Sequence, residues 1–299
     1  MFLFHFNFSC EMEGIEKLYT PSQWCSYRCD PHTVVEEHVK AVTKESLKVT
    51  EEISFIQNLR YGNGPKQVLD LFEPENVSDA IPTFIYIHGG YWQELSRDIS
   101  RYCVKPLIQS NIRVIIPGYD LVPQVDMRTI IKEIEDLAAF INKLAQDRHW
   151  TNIWYGGHSA GAHLAASLLC SGNFSNLNIA GLILISGIYN LEPLIRTTIN
   201  EKLNINNENY RSLSPLLRLP KSINQNIRIS IFIAEYDSPA FHTQSENFKR
   251  EVEKLHSNVE LNVIKNTDHF TIVENLKNTD FILTKTIINM ILCNNSKLR

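Results

Sequence analysis

Five nearly uninterrupted apolar runs constrain this chain most: TFIYI (83–87), IRVII (112–116), IWYGG (153–157), AGLILI (180–185) and IRISIFIA (227–234). A strand with one wet face alternates apolar and polar residues. A run without alternation must be covered on both faces, as in a parallel sheet packed between helix layers. The segments between the runs supply that cover. In MRTIIKEIEDLAAFINKLAQD (127–147), Ile130, Ile131, Ile134, Leu137, Ala138, Ile141 and Leu144 recur at helical spacing. Further helices are predicted at 98–110, 160–171, 240–256 and 271–293. LKVTEEISFI (47–56) and QVLDLF (67–72) do alternate and read as an antiparallel edge, and ELNVI (260–264) reads as a weaker edge strand. The order predicts an α/β fold: a mostly parallel central sheet, helices on both faces and right-handed crossovers. Residues 189–225, rich in Asn, Leu and Pro, break the rhythm. They are expected to form a small cap inserted into a single domain.

Length and composition agree. The 299 residues allow one large domain or two ordinary ones, and a composition 43% hydrophobic and 21% charged is ordinary for a globular chain and excludes disorder or a low-complexity body. Its charge, 29 basic against 33 acidic residues, gives −4 with no basic cluster, which argues against a nucleic-acid partner. Six cysteines (10, 25, 29, 103, 170 and 293) are too sparse for a disulfide scaffold. Cys25 and Cys29 form C-x-x-x-C with no second pair to complete a metal site, so free thiols in a reducing compartment are expected. The opening MFLFHFNFSC lacks the basic start of a signal peptide, and Glu11 and Glu13 follow it. No stretch approaches the roughly 18 apolar residues of a membrane span. The expectation is a cytoplasmic protein, with no membrane association, made of an N-terminal extension (1–14) and one domain (15–299).

Two motifs carry chemistry. Gly157-His158-Ser159-Ala160-Gly161 stands between the strand IWY and the helical AGAHLAASLLC. A G-x-S-x-G at a strand–turn–helix junction exposes its serine as a nucleophile, and its glycines relieve the sharp turn. His88-Gly89-Gly90-Tyr91-Trp92 follows the strand TFIYI. Its glycines let backbone N–H groups face a ligand, so Gly89 and Gly90, with Ala160, are the candidate oxyanion hole. A nucleophilic serine needs an acid and a base, which in this arrangement follow it in that order. Asp237, just past IRISIFIA, is the candidate acid, with Glu235 as second choice. His269, past ELNVI, is the candidate base. His242 and His256 read as surface histidines, and Asp268 as solvated or capping a turn. Tyr91 and Trp92 are candidate substrate contacts, with core filling as the alternative.

HGGYW, GHSAGAH, EYDSPAFHTQSENF and DHF together resemble the arylformamidase, or kynurenine formamidase, family of α/β-hydrolases. LYTPSQW (18–24) and YGNGPKQVLDLF (61–72) extend the likeness, which runs from about residue 15 to 290. The resemblance implies an α/β-hydrolase fold, a triad of Ser159, Asp237 and His269, no metal or organic cofactor, and N-formyl-L-kynurenine as the small-molecule substrate. A homodimer is compatible with these features. A general carboxylesterase with the same triad is the nearest alternative, and a non-catalytic binding module on the same fold is a weaker one.

Overall fold

A computed structural model describes residues 14–25, 30–75 and 78–293. The first thirteen residues of the expected N-terminal extension, with Cys10 and Cys29, lie outside the described residues. Eight strands form one sheet: β1 (Phe55–Arg60), β2 (Val68–Phe72), β3 (Thr83–Ile87), β4 (Arg113–Pro117), β5 (Ile153–His158), β6 (Gly181–Ile185), β7 (Arg228–Ala234) and β8 (Val259–Ile264). Their order is β1-β2-β4-β3-β5-β6-β7-β8. β2 pairs antiparallel with β1 and β4, and every other neighbour pair is parallel.

The apolar runs are buried on both faces because successive side chains enter different cores. Ile85 and Ile87 of β3, Tyr155 of β5, and Leu182 and Leu184 of β6 join one core. It is closed by helices α3 (Met127–Asp147), α4 (Ala160–Ser167) and α5 (Pro239–Glu253). Phe84, Tyr86, Trp154, Ile183 and Ile185 join the other, under α1 (Val34–Glu52), α2 (Val104–Gln109) and α6 (Ile282–Cys293). Chain order reverses at β3, which lies between β4 and β5. In an open α/β sheet such a switch point opens a crevice at the carboxyl ends of the strands. The loops after β3 and β5, which carry the two motifs, meet there.

Four expectations change. Residues 47–52 belong to α1, not to a strand. Its buried residues Val34, His38, Val42, Ser46 and Val49 mark a helical face, and β1 starts only at Phe55. The alternation of β2 does not make it an edge: all five residues are buried, and the polar one, Asp70, is paired with Arg97 at 2.8 Å and Arg101 at 2.7 Å. The helix predicted over 98–110 is a 3-10 turn at Arg97–Ile99 followed by the six-residue α2. The helix predicted over 271–293 is broken into short turns at Thr271–Glu274 and Asn275–Lys277 before α6.

Residues 189–225 form short helical turns whose Leu191, Leu194, Leu203 and Leu213 join the α3–α5 core. They cover α4, all eight of whose residues are buried, and His163 Nε2 lies 2.8 Å from Leu213 O. Asn side chains brace the segment: Asn200 Oδ1 accepts from Ile205 N–H and its amide donates to Ile205 O. Among the described residues no helix is long and apolar enough to cross a membrane. Nor does any group of three or more His, Cys, Asp or Glu stand ready to hold a metal ion.

Candidate active site

Ser159 sits in a backbone conformation that L-residues seldom adopt, with φ 55° and ψ −115°. The turn is tied down by its N–H, which donates to Ile185 O on β6 at 2.8 Å. Both flanking glycines are sterically required. A Cβ on Gly161 would lie 2.0 Å from Ile87 O, and one on Gly157 would lie 2.6 Å from the same oxygen. Without side chains at these positions, α4 and β5 close directly onto the end of β3.

The loop after β3 is fastened through its carbonyls. Tyr119 Oη donates to His88 O at 2.9 Å and to Gly89 O at 3.2 Å, and the Tyr119 ring stacks on the His88 ring. Gly90, at φ 96°, accepts from the N–H groups of Gln93 and Glu94. Among the described residues none accepts a hydrogen bond from the N–H of Gly89, Gly90 or Ala160. A Cβ on Gly89 would lie 3.4 Å from Ser159 Cβ, so the loop lies directly against the serine. This leaves unpaired backbone donors close to the hydroxyl, as an oxyanion hole requires.

Asp237 Oδ1 lies 2.7 Å from His269 Nδ1, and both residues are buried. The other carboxylate oxygen accepts from Ser186 Oγ at 2.5 Å and from Ala234 N–H at 3.3 Å. The ring of His269 is wedged against Phe241, Phe270 and His158, with centroids at 4.7, 5.6 and 4.5 Å. Glu235 points elsewhere. It binds Asn266 N–H and Lys265, and these two contacts hold its carboxyl below the ordinary range. Burial pushes the His158 imidazole well below its usual pKa, and His269 and His38 lower it further, so His158 is neutral at neutral pH. Burial likewise takes His88 and His163 down to about 4.

Ser159, His158 and His269 line one cavity of about 370 Å³, together with Gly90, Tyr91 and Tyr19. Trp92, expected beside the substrate, does not line it. The chain is left-handed at Tyr91 (φ 48°) and Trp92 (φ 58°), and the Trp92 ring is fully buried in the core, edge-on to His163 at 4.8 Å. Core filling is therefore its role. Tyr91 does reach the cavity, and its hydroxyl donates to Tyr19 O at 2.7 Å. One further reading is corrected: His256 is buried, not at the surface. Of the two readings of Asp268, the capping one holds: it is fully buried and accepts from Phe270 N–H and Thr271 N–H.

Two walls of the cavity had no site assignment in the sequence. Residues 16–22 supply Glu16, Tyr19 and Pro21, and α1 supplies His38. The first lies partly within LYTPSQW, whose likeness to a family motif was its only signal. His38 has no local motif at all.

Comparison with known proteins now decides the family. Residues 84–273 match a protein family described as having the alpha/beta hydrolase fold. The chain is 34% identical over 285 residues to the kynurenine formamidase of Salmo salar, covering 93% of this chain and 96% of that protein. It is 30% identical over 272 residues to that of Drosophila melanogaster, covering 87% and 90%. The chain belongs to the kynurenine formamidase family. Solved structures show this family's fold to be shared with more distant esterases. Esterase B from Lactobacillus rhamnosis superposes with a TM-score of 0.67 at 20% identity, covering 96% of each chain. A thermostable carboxylesterase from a metagenomic library gives 0.67 at 16% identity, covering 92% of this chain and 99% of that one.

Proposed function

We propose that the chain hydrolyses N-formyl-L-kynurenine to L-kynurenine and formate, as a cytoplasmic serine hydrolase of tryptophan breakdown working through Ser159, His269 and Asp237. The observation that carries this reading is the likeness to kynurenine formamidases along nearly the whole chain. The Asp237–His269 hydrogen bond, and the shared cavity of His269 and Ser159, support the roles of the three residues.

In this reading His269 takes the Ser159 proton as Oγ bonds to the formyl carbon. The formyl oxygen gains negative charge, which the N–H groups of Gly89, Gly90 and Ala160 receive. One such donor typically contributes about 3–4 kcal/mol to the transition state. The C–N bond then breaks, and His269 passes the proton to the departing arylamine. Water, deprotonated by the same ring, attacks the formyl-serine, and formate leaves as Ser159 regains its proton. Asp237 holds the imidazole tautomer and balances its positive charge, itself oriented by Ser186.

The test is to supply N-formyl-L-kynurenine and follow formate release beside a simple alkyl formamide and an aryl ester. A formyl group offers almost no binding surface, so discrimination must come from the kynurenine part. The expected preference over the alkyl formamide is about 10² or more in kcat/KM. Broad turnover of aryl esters without preference for the formyl compound would replace this reading by the general carboxylesterase.

A further inference from the structure

Among the described residues, the cavity beside Ser159 is lined by the acidic Glu16 and Glu94 and by three histidines, but by no lysine or arginine. An α-amino-acid substrate brings an ammonium and a carboxylate into that space. Acidic side chains suit the ammonium and repel the carboxylate, so the carboxylate needs a cation or a strong donor elsewhere. Two of the three histidines are committed. His269 is engaged with Asp237 as the base of the proposed reaction, and burial keeps His158 neutral.

The third is His38. It stands on α1, is 5% exposed and lines the cavity. Its Nδ1 lies 2.8 Å from Oε1 of Glu274, a carboxylate whose side chain is 11% exposed. Its ring packs against Phe270, the residue after His269, with centroids 5.1 Å apart. Glu274 closes the single helical turn Thr271–Glu274 that follows the base, so one short segment carries both His269 and the partner of His38. The pairing fixes the ring and commits Nδ1, which leaves Nε2 as the nitrogen for a ligand. With a proton on Nε2, the imidazolium lies between two carboxylates, that of Glu274 and that of the substrate.

We propose that His38, held by Glu274, anchors the α-carboxylate of the substrate and so sets the preference for a formylated amino acid over a formylated amine. The proposal rests on the formyl-kynurenine reading above. His38 is a specificity-determining residue in it and takes no part in the proton transfers at Ser159.

The experiment is a coupling cycle between ring and carboxylate. Wild type, His38→Ala and Glu274→Gln are assayed with N-formyl-L-kynurenine and with its decarboxylated analogue, which keeps the aryl ketone and the amine. Removing either the ring or the carboxylate is expected to lower kcat/KM about tenfold or more, chiefly through KM. Removing both is expected to cost little more than removing one, because they form a single interaction. Glu274→Gln is expected to give a smaller KM effect of the same pattern. A third readout does not depend on turnover: L-kynurenine should inhibit wild type at least tenfold better than its decarboxylated counterpart, and His38→Ala should abolish that difference. If His38→Ala does not fold, Glu274→Gln and the wild-type inhibition ratio still decide. Additive losses, a loss confined to kcat, or equal inhibition by both products would overturn the anchor while leaving the formamidase reading in place. Absence of formate release from either substrate by wild type would overturn both.

Discussion

The ends of the strands and the wall of the cavity contribute to the same site in opposite ways. Ser159, Asp237 and His269 each stand within a few residues of a strand's carboxyl end, after β5, β7 and β8. Backbone hydrogen bonds such as Ser159 N–H to Ile185 O, and steric limits such as the approach of Gly161 to Ile87, hold these positions. The wall is assembled from side chains of remote segments: residues 16–22, α1 and the insertion at 189–225. Glu16 accepts from Thr198, Tyr91 donates to Tyr19 O and Ser238 donates to Leu18 O. In the proposed reading, chemistry rests on what the sheet fixes and choice of substrate on what the side chains assemble. The two regions should respond differently to mutation.

The comparison breaks first if Ser159→Ala retains substantial activity. Its expected loss is about 10⁵-fold or more in kcat, with thermal unfolding unchanged, because only the covalent route is deleted. Asp237→Asn comes next, at about 10⁴-fold, since the amide no longer fixes the tautomer of His269. Glu235→Gln, which removes the ion pair with Lys265 and keeps an oxygen to accept from Asn266 N–H, should stay within about threefold. The reverse ranking in an activity assay would move the acid to Glu235.

Neighbouring aromatics sharpen the contrast. Trp92→Ala should cost about 3–5 kcal/mol of stability in denaturant unfolding, as expected for a buried large-to-small change. It should leave the ratio of formyl-kynurenine to alkyl formamide turnover in place. Tyr91→Phe removes one hydrogen bond, to Tyr19 O, and should cost only about 1 kcal/mol. A collapsed ratio in Trp92→Ala at intact stability would return that ring to the substrate.

The gentlest test is acid. His88 and His163 have pKa values near 4 in the folded chain, depressed by burial from an ordinary 6.5. Between those values the unfolded state binds protons that the folded state refuses. Stability is therefore complete above about pH 6.5 and is lost as pH falls towards 4. The slope is at most about 1.4 kcal/mol per pH unit for each ring. Melting temperatures measured from pH 7 to 5 should fall, and His163→Gln should shallow the slope. A flat profile would mean that these rings are charged in the fold.

What the sequence made legible follows the same division. The strand ends were readable because local pattern specifies them: apolar run, turn, then a glycine-flanked serine or a lone acid or histidine. Trp92 misled because its place directly after the glycine loop suggested the substrate, whereas the chain turns left-handed at Tyr91 and Trp92 and the indole lies in the core. α1 was missed because two of the five residues on its buried face, His38 and Ser46, are polar. They dilute the apolar period on which the reading relied. The Asn-rich insertion offered no period at all, since Asn side chains bracing the backbone at residues 200–209 replace the usual ladders. His38 shows its purpose only beside Glu274, 236 positions away.

That wall also has a history in time. Leu18 O meets Ser238 Oγ across 220 residues of chain, and the Tyr19 hydroxyl meets Gln244 across 225. During synthesis Leu18 and Tyr19 leave the ribosome 220 and 225 residues ahead of their partners Ser238 and Gln244. Contacts of such separation form late, because a long loop must close before they repay its entropy. The nucleophile turn, whose ties lie within about 75 residues of Ser159, has no such wait. A nascent chain can therefore form the serine elbow before the wall, yet in the proposed mechanism it becomes reactive only once Asp237 and His269 have emerged, when the wall partners Ser238 and Gln244 are present as well.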